Sequence, residues 1–365
     1  MSEWQTFCLK DLGKIVGGTT PSTNNPKNYG NKIAWITPKD LSTLQGRYIK
    51  KGSRSISRLG FKSCSCVLLP KHAILFSSRA PIGYVAIAKK RLCTNQGFKS
   101  IIPNKKIYFE FLYYLLKYHK DNISNIGGGT TFKEVSGATL GLFKVKIPPT
   151  YYEQQKIART LSVLDQKIEN NHKINELLHT LAYKIYEYYF KYKPKNAKLE
   201  QIIIENPKSS IMVKNAQKTQ DKYPFFTSGD NTLSYPKAII DGRNCFLNTG
   251  GNAGIKFYVG KASYSTDTWC ICANEFSDYL YLLLSSIKTH INQSFFQGTS
   301  LKHLQKNLLK KYPIYMPSAH EIKKFNQMIM PLLTLISINT RTSKKLEQVR
   351  DFLLPLLLTQ QVKPE

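Results

Sequence analysis

The chain has 365 residues, 42% of them hydrophobic and 12% aromatic, enough for two or three domains with real cores and too apolar for a disordered protein. No run of eighteen apolar residues occurs, so a membrane-spanning helix is excluded, and the opening "MSEWQTFCLKDLGKIVGG" lacks the apolar core of a signal peptide. A cytoplasmic protein is expected. Fifty-three Lys and Arg face 23 Asp and Glu, a net charge of +30, which points to a polyanionic partner, nucleic acid before anionic membrane.

Residues 1 to 150 carry β-branched and aromatic runs broken by Gly, Pro and Asn, the pattern of strands and turns, with one helix at "YFEFLYYLLKY" (108–118). Residues 151 to 192 then turn helical. A 4–3 spacing aligns Ile157, Leu161, Leu164, Ile168, Asn171, Asn175, Leu178, Ala182, Ile185 and Tyr189 on one seam. Residues 193 to 317 return to strands and turns, with a helix at "FSDYLYLLLSS" (276–286). Residues 318 to 365 are helical again, with Phe325, Ile329, Leu332, Ile336, Asn339, Ser343, Leu346, Arg350, Leu353 and Leu357 on the seam. Pro331 is expected to break or kink this second arm near its start, and Pro355 to disturb its last turn.

The second half repeats the first. The segment from Thr130 recurs from Thr299 and Ile147 recurs as Met316, both at a shift of 169; "YFEFLYYLLKY" recurs at a shift of 168. Upstream, "IAWITPKD" aligns with "YPFFTSGD" at 190, and Gly83 with Gly254 at 171. The second copy has therefore lost about twenty residues between those anchors, by comparison of the two shifts. Both seams are apolar at their ends and polar in the middle, with Asn171 and Asn339 at the same repeat position. Two seams of this kind predict that the arms pair as a coiled coil, with a polar layer that sets register.

No catalytic constellation is legible. The pairs Cys64/Cys66 and Cys270/Cys272 lie in apolar runs and read as buried thiols on one face of a strand, without the spacing of a zinc site. "IPPTYY" has Ile147 where an amino-methyltransferase motif needs Asn or Asp, and "GIKFYVGKAS" has the wrong spacing for a P-loop. The carboxylates are scattered, and the histidines show neither metal spacing nor a paired nucleophile. A basic, duplicated chain without catalytic machinery reads as a binding module for two patches of one duplex.

Its candidate readers sit in polar turns, where Arg and Lys suit guanine edges, Asn and Gln suit adenine, and Ser and Thr reach phosphates. In the first copy these are Thr20, Ser22, Lys39, Ser78, Arg79, Asn95, Gln96, Lys99, Thr130, Thr131 and Lys133, with Arg79, Gln96 and Thr131 foremost. The second copy offers Ser228, Asn231, Asn248, Asn252, Lys256, Thr266, Thr299, Ser300 and Lys302.

"LGKIVGGTTPS", "WITPKDL", "SSRAPIGYVAI", "TNQGFKSI", "GGGTTFKEVSG" and "IPPTYYEQQKIARTLSVLDQKIENN", in that order, resemble the specificity subunit of type I restriction–modification enzymes over nearly the whole chain. The resemblance implies a mixed α/β (α+β) architecture with two target-recognition domains at 1–150 and 193–317. Each is followed by a helical region, at 151–192 and 318–365, and the two helices pack antiparallel as a spacer. It further implies recognition of a split asymmetric DNA site without catalysis in this chain. Two modification subunits would bind S-adenosylmethionine and methylate adenine, and restriction subunits would use ATP and Mg. The second arm departs from the pattern in "MPSAHEIKKFNQMIMPL", which lacks the Glu153–Gln154 pair. Alternatives are the specificity subunit of a two-part type II enzyme and, from another class, a stand-alone DNA methyltransferase.

Overall fold

The computed structural model describes residues 3–129, 133–216 and 222–364. The chain forms two compact units, Met1–Asn170 with Ser343–Glu365, and Asn171–Thr342. Each therefore takes part of both arms. No helix among the described residues is long and apolar enough to cross a membrane.

The first unit is built on a five-stranded sheet in the order Gly13–Gly17, Lys99–Pro103, Ile74–Ser78, Ile82–Ala88, Tyr48–Ile49. A smaller sheet orders Arg54–Ile56, Tyr29–Ile36 and Cys93–Thr94. The helix Phe109–Asn125 carries the run from Phe111 to Leu116 into the core beside Ile74, Phe76 and Ile87 of the large sheet. In the second unit a four-stranded sheet orders Ile204–Glu205, Thr268–Cys272, Arg243–Asn248 and Ile255–Val259. Its small sheet holds Leu233–Tyr235, Tyr223–Phe226 and Ser263–Tyr264, and its buried helix is Ser277–Ser286.

Strand register shows the duplication residue by residue. Trp35 and Ile36 pair in parallel with Cys93 and Thr94; Phe225 and Phe226 pair in parallel with Ser263 and Tyr264. The shifts are 190 on one side of the pair and 170 on the other, so the missing residues lie between these strands. The first unit spends them on the edge strand Tyr48–Ile49 and the short helix Arg58–Lys62.

The first arm helix runs from Tyr151 to Tyr186 and the second from Ala319 to Leu358, starting at the same repeat position. Both begin on a hydroxyl cap. The Thr150 hydroxyl accepts from the Glu153 amide at 3.2 Å, and the Ser318 hydroxyl from the Glu321 amide at 3.3 Å. The carboxylate of the "missing" pair is thus retained as Glu321, which also accepts the Ser318 amide at 2.9 Å. Only the glutamine is lost. Gln154, 1% exposed, accepts from the Tyr108 amide at 2.8 Å and donates to the carbonyls of Lys106 and Pro148, whereas its counterpart Ile322 lies among apolar side chains. Gln154→Ile is expected to strand those backbone groups and cost the first unit about 1–3 kcal/mol. Thermal melts would show it; an unchanged midpoint would mean water replaces the side chain.

Within the first unit, Ile157, Ala158 and Leu161 of the first arm share a core with Leu354, Leu357 and Leu358 of the second, so these segments run antiparallel. Leu353 packs against that core, Ile168 is buried, and Leu164 and Leu346 are half-buried. Within the second unit, Ala182 and Tyr186 share a core with Ile322, Phe325, Ile329, Leu333 and Ile336, again antiparallel, with Leu178, Ile185 and Leu332 against it.

Two expectations need correcting and one is refined. The second arm is one continuous helix through Pro331 and Pro355. Burial of Ile329 and Leu333 on either side of Pro331 outweighs the lost hydrogen bond, as tertiary packing often does over local preference. The polar layer of the seams pairs Asn339 with Asn175, whose side-chain oxygen accepts at 3.0 Å. Cys64 and Cys66 lie in a turn after Arg58–Lys62 and not in a strand, with their sulfurs 3.1 Å apart.

Candidate nucleic-acid interface

The positive charge is not spread evenly. Residues 1–150 hold 24 basic against 6 acidic side chains, and residues 193–317 hold 16 against 8. The arms are nearly neutral, 6 against 5 and 7 against 4. A polyanion would therefore meet its field on the two globular portions.

In the first unit backbone hydrogen bonds tie the predicted turns into one cluster. Gly18 and Thr19 donate to Phe98 and Thr94, Asn95 donates to Ile36, Ser78 to Gly97, and Val135 to Ser78. The approach is so close that a Cβ on Gly18 would sit 2.0 Å from the Asn95 carbonyl oxygen, so only glycine fits there. Thr20 donates to the side chain of Gln96. Ser22, Lys39, Gln96 and Lys133 present exposed side chains. Asn95 is half-buried and its oxygen accepts from the Gly97 amide at 3.0 Å, shaping the loop rather than projecting from it. Arg79 and Lys99 both reach Glu134, at 3.5 and 3.2 Å, so a base contact by either must compete with that carboxylate. Ser78 does not belong among the readers: it is fully buried and its hydroxyl donates to the Gly97 carbonyl. Thr130 and Thr131 lie outside the described residues.

The second unit brings its own turns together. Gly251 donates to the Lys302 carbonyl, Leu304 to Thr249, and Thr249 to the Ser228 hydroxyl, which itself donates to Asp267. Asn231, Asn252, Thr266, Thr299, Ser300 and Lys302 are exposed around this cluster. Two predicted readers are occupied inside it. Asn248 is buried and donates to the Asn252 carbonyl at 3.1 Å. The Lys256 ammonium donates to the carbonyls of Thr227 (2.7 Å) and Gly229, and burial holds its pKa below the ordinary lysine value. Lys256 thus braces the 227–231 turn and Asn248 the 248–252 turn, instead of facing solvent.

Sequence reasoning missed Arg54. It stands on the strand Arg54–Ile56 opposite Trp35, exposed over the Tyr29 ring, and lines a groove of about 440 Å³ with Thr23, Pro26 and Tyr29. The mixed basic-polar run "KGSRSIS" is the signal that could have found it. The described residues of both clusters offer hydrogen-bonding and cationic side chains on loops tied by backbone hydrogen bonds, which is equipment for reading a surface.

The model of the type I restriction modification DNA specificity domain matches residues 1–180 and again 195–348. The chain is 32% identical to the type I restriction enzyme MjaIX specificity subunit of Methanocaldococcus jannaschii, across all of this chain and 94% of that protein. It is 39% identical to the putative type I restriction enzyme MjaX specificity subunit of the same organism, over 47% of this chain and 38% of the relative. The crystal structure of a type I restriction-modification S subunit from M. genitalium shares the fold at 18% identity with a TM-score of 0.64, covering 98% of this chain and 96% of that one. Two matched copies of one domain on a duplicated fold, with a relative 32% identical across the whole chain, settle the matter: this chain belongs to the family of type I restriction–modification DNA specificity subunits, which are non-catalytic.

Proposed function

We propose that the first loop cluster reads one half of a split, asymmetric DNA site and the second cluster the other half, and that the chain directs methylation and cleavage there. The observation that carries this is the charge. The two globular portions that bear the differently equipped clusters hold nearly all of the excess, while the arms hold little. The clusters differ in chemistry, with Gln96, Arg54 and Lys133 on one and Asn231, Asn252 and Lys302 on the other, so the half-sites should differ too.

The arms carry what partner subunits need. In the second unit the first arm exposes Ile174, Leu177 (70% exposed) and Leu181 at helical spacing, and the second arm exposes Leu335 and Ile338. In the first unit Val349 and Phe352 (69% exposed) continue the pattern. Apolar stripes of this kind mark protein interfaces. Two modification subunits carrying S-adenosylmethionine would dock there, joined by restriction subunits that use ATP and Mg, in the cytoplasm.

The test is reconstitution. The purified chain alone should transfer no methyl group to DNA, and together with its modification subunit it should methylate a split motif. Methyl transfer by the chain alone would overturn the reading.

A further inference from the structure

Each unit sets an arginine between its sheet and an arm helix, buried in the first (Arg47) and half-buried in the second (Arg243). Arg47 follows Gly46 and Arg243 follows Gly242, and both glycines hold φ near +100° (104° and 97°), a turn that favours glycine. The Arg47 guanidinium reaches Glu110 at 3.1 Å and Glu169 on the first arm at 3.2 Å. Arg243 grips Asp278 with both arms of its fork, donates to the Thr334 hydroxyl at 2.9 Å, and reaches the Met330 carbonyl at 3.2 Å on the second arm. Glu110 and Asp278 are the same repeat position, 168 apart, second in their helices. The arm end repeats as well. Glu169 accepts the Arg47 amide at 2.9 Å, and Ser337, 168 further on, accepts the Val259 amide at 3.0 Å.

The arginines themselves are not copies of one another. They lie 196 apart, outside the repeat frame, and they come from different strands. Arg47 precedes the edge strand Tyr48–Ile49, whereas Arg243 opens Arg243–Asn248, the counterpart of Ile74–Ser78. Two origins converge on one arrangement: a guanidinium from the sheet, on the same helix carboxylate, tied to the same stretch of arm. Stability alone does not account for that, because well-packed apolar side chains serve stability as well as a buried ion pair does. What a planar fork adds is direction.

We propose that Arg47 and Arg243 are positioning residues: each fixes the aim of its loop cluster against its arm helix, and so the alignment of bound DNA with the modification subunit held on the arms. This rests on the function proposed above. The fork would set how often a bound site is presented correctly, and the exposed loop side chains would set which bases are read.

Variants of the assembled methyltransferase test this at a temperature where circular dichroism shows them folded. Arg243→Lys, which keeps the charge and loses the fork, should lower kcat for methylation at least tenfold, with KM for DNA within about twofold and the methylated motif unchanged. Thr334→Val removes the side-chain tether to the arm, leaves the Asp278 pair and the Met330 carbonyl contact, and should lower kcat at least threefold, while Thr334→Ser should restore it. Should Arg243→Lys fail to fold, the Thr334 pair decides. Wild-type kcat in folded Arg243→Lys or in Thr334→Val would overturn the proposal, as would a loss confined to KM. A wild-type complex that methylates no split motif would overturn the recognition reading instead, and the inference with it.

Discussion

Between 50 and 200 mM salt the assembled complex is expected to lose roughly 10³- to 10⁵-fold in DNA affinity, the range for a protein that neutralises about six to ten phosphates. The globular portions carry net charges of +18 and +8, ample for that number of contacts, and the near-neutral arms add little. The share should be unequal. Replacing three exposed basic side chains of the first portion, Lys39, Arg54 and Lys133, by Gln should flatten the dependence of log K on log salt by about three. Fluorescence anisotropy across a salt series reads both results. A flat wild-type response would place the charge away from DNA, and an unchanged slope in the triple variant would remove those three side chains from the interface.

The second large effect is on stability. Arg47 is 2% exposed, and its guanidinium lies between Glu110, Glu169 and, at 4.0 Å, Asp165. Burial works against its charge, but Tyr114 and the Glu169 and Glu110 carboxylates outweigh it, and the net shift of its pKa is upward. Asp165 has a second cation in Arg350 at 2.6 Å, whereas Glu110 relies on Arg47 together with the hydroxyls of Tyr48 and Tyr108. Arg47→Ala leaves buried carboxylates without their cation and is expected to cost the first unit about 3–5 kcal/mol. Hydrogen exchange should show residues 3–129 losing protection while 222–342 keep theirs, since distant sites behave independently. Equal loss in both would mean that the units unfold as one.

What was legible in the sequence was what repeats. The shifts of 190 and about 170 reappear as strand register at Trp35–Cys93 and Phe225–Ser263, because β pairing fixes both ends of a comparison at once. The arms were legible from their seams, and Leu161, Phe325 and Ile329 are fully buried. Pro331 misled because local preference ignores the burial of Ile329 and Leu333 beside it. The polar turns were located as segments, but the sequence did not separate their inward from their outward side chains. A polar turn does not say which of its members face inward, so Ser78, Asn248 and Lys256 looked the same as Gln96 or Asn231. The arginine clips were invisible for another reason: Arg47 lies more than a hundred residues from Glu169, and nothing local marks either.

If each loop cluster reads its own half-site, the two should be separable by mutation. Long-read methylation sequencing of cells carrying this chain with its modification subunit tests it most directly. It would compare the wild type with Gln96→Ala in the first cluster and Asn231→Ala in the second, both exposed side chains. A base contact is worth about 1–3 kcal/mol of discrimination, enough to turn a fixed base into a degenerate one. The expected result is one split motif in the wild type, relaxed in one half only by Gln96→Ala and in the other half only by Asn231→Ala. An uninterrupted wild-type motif, or two halves that relax together in either variant, would contradict it.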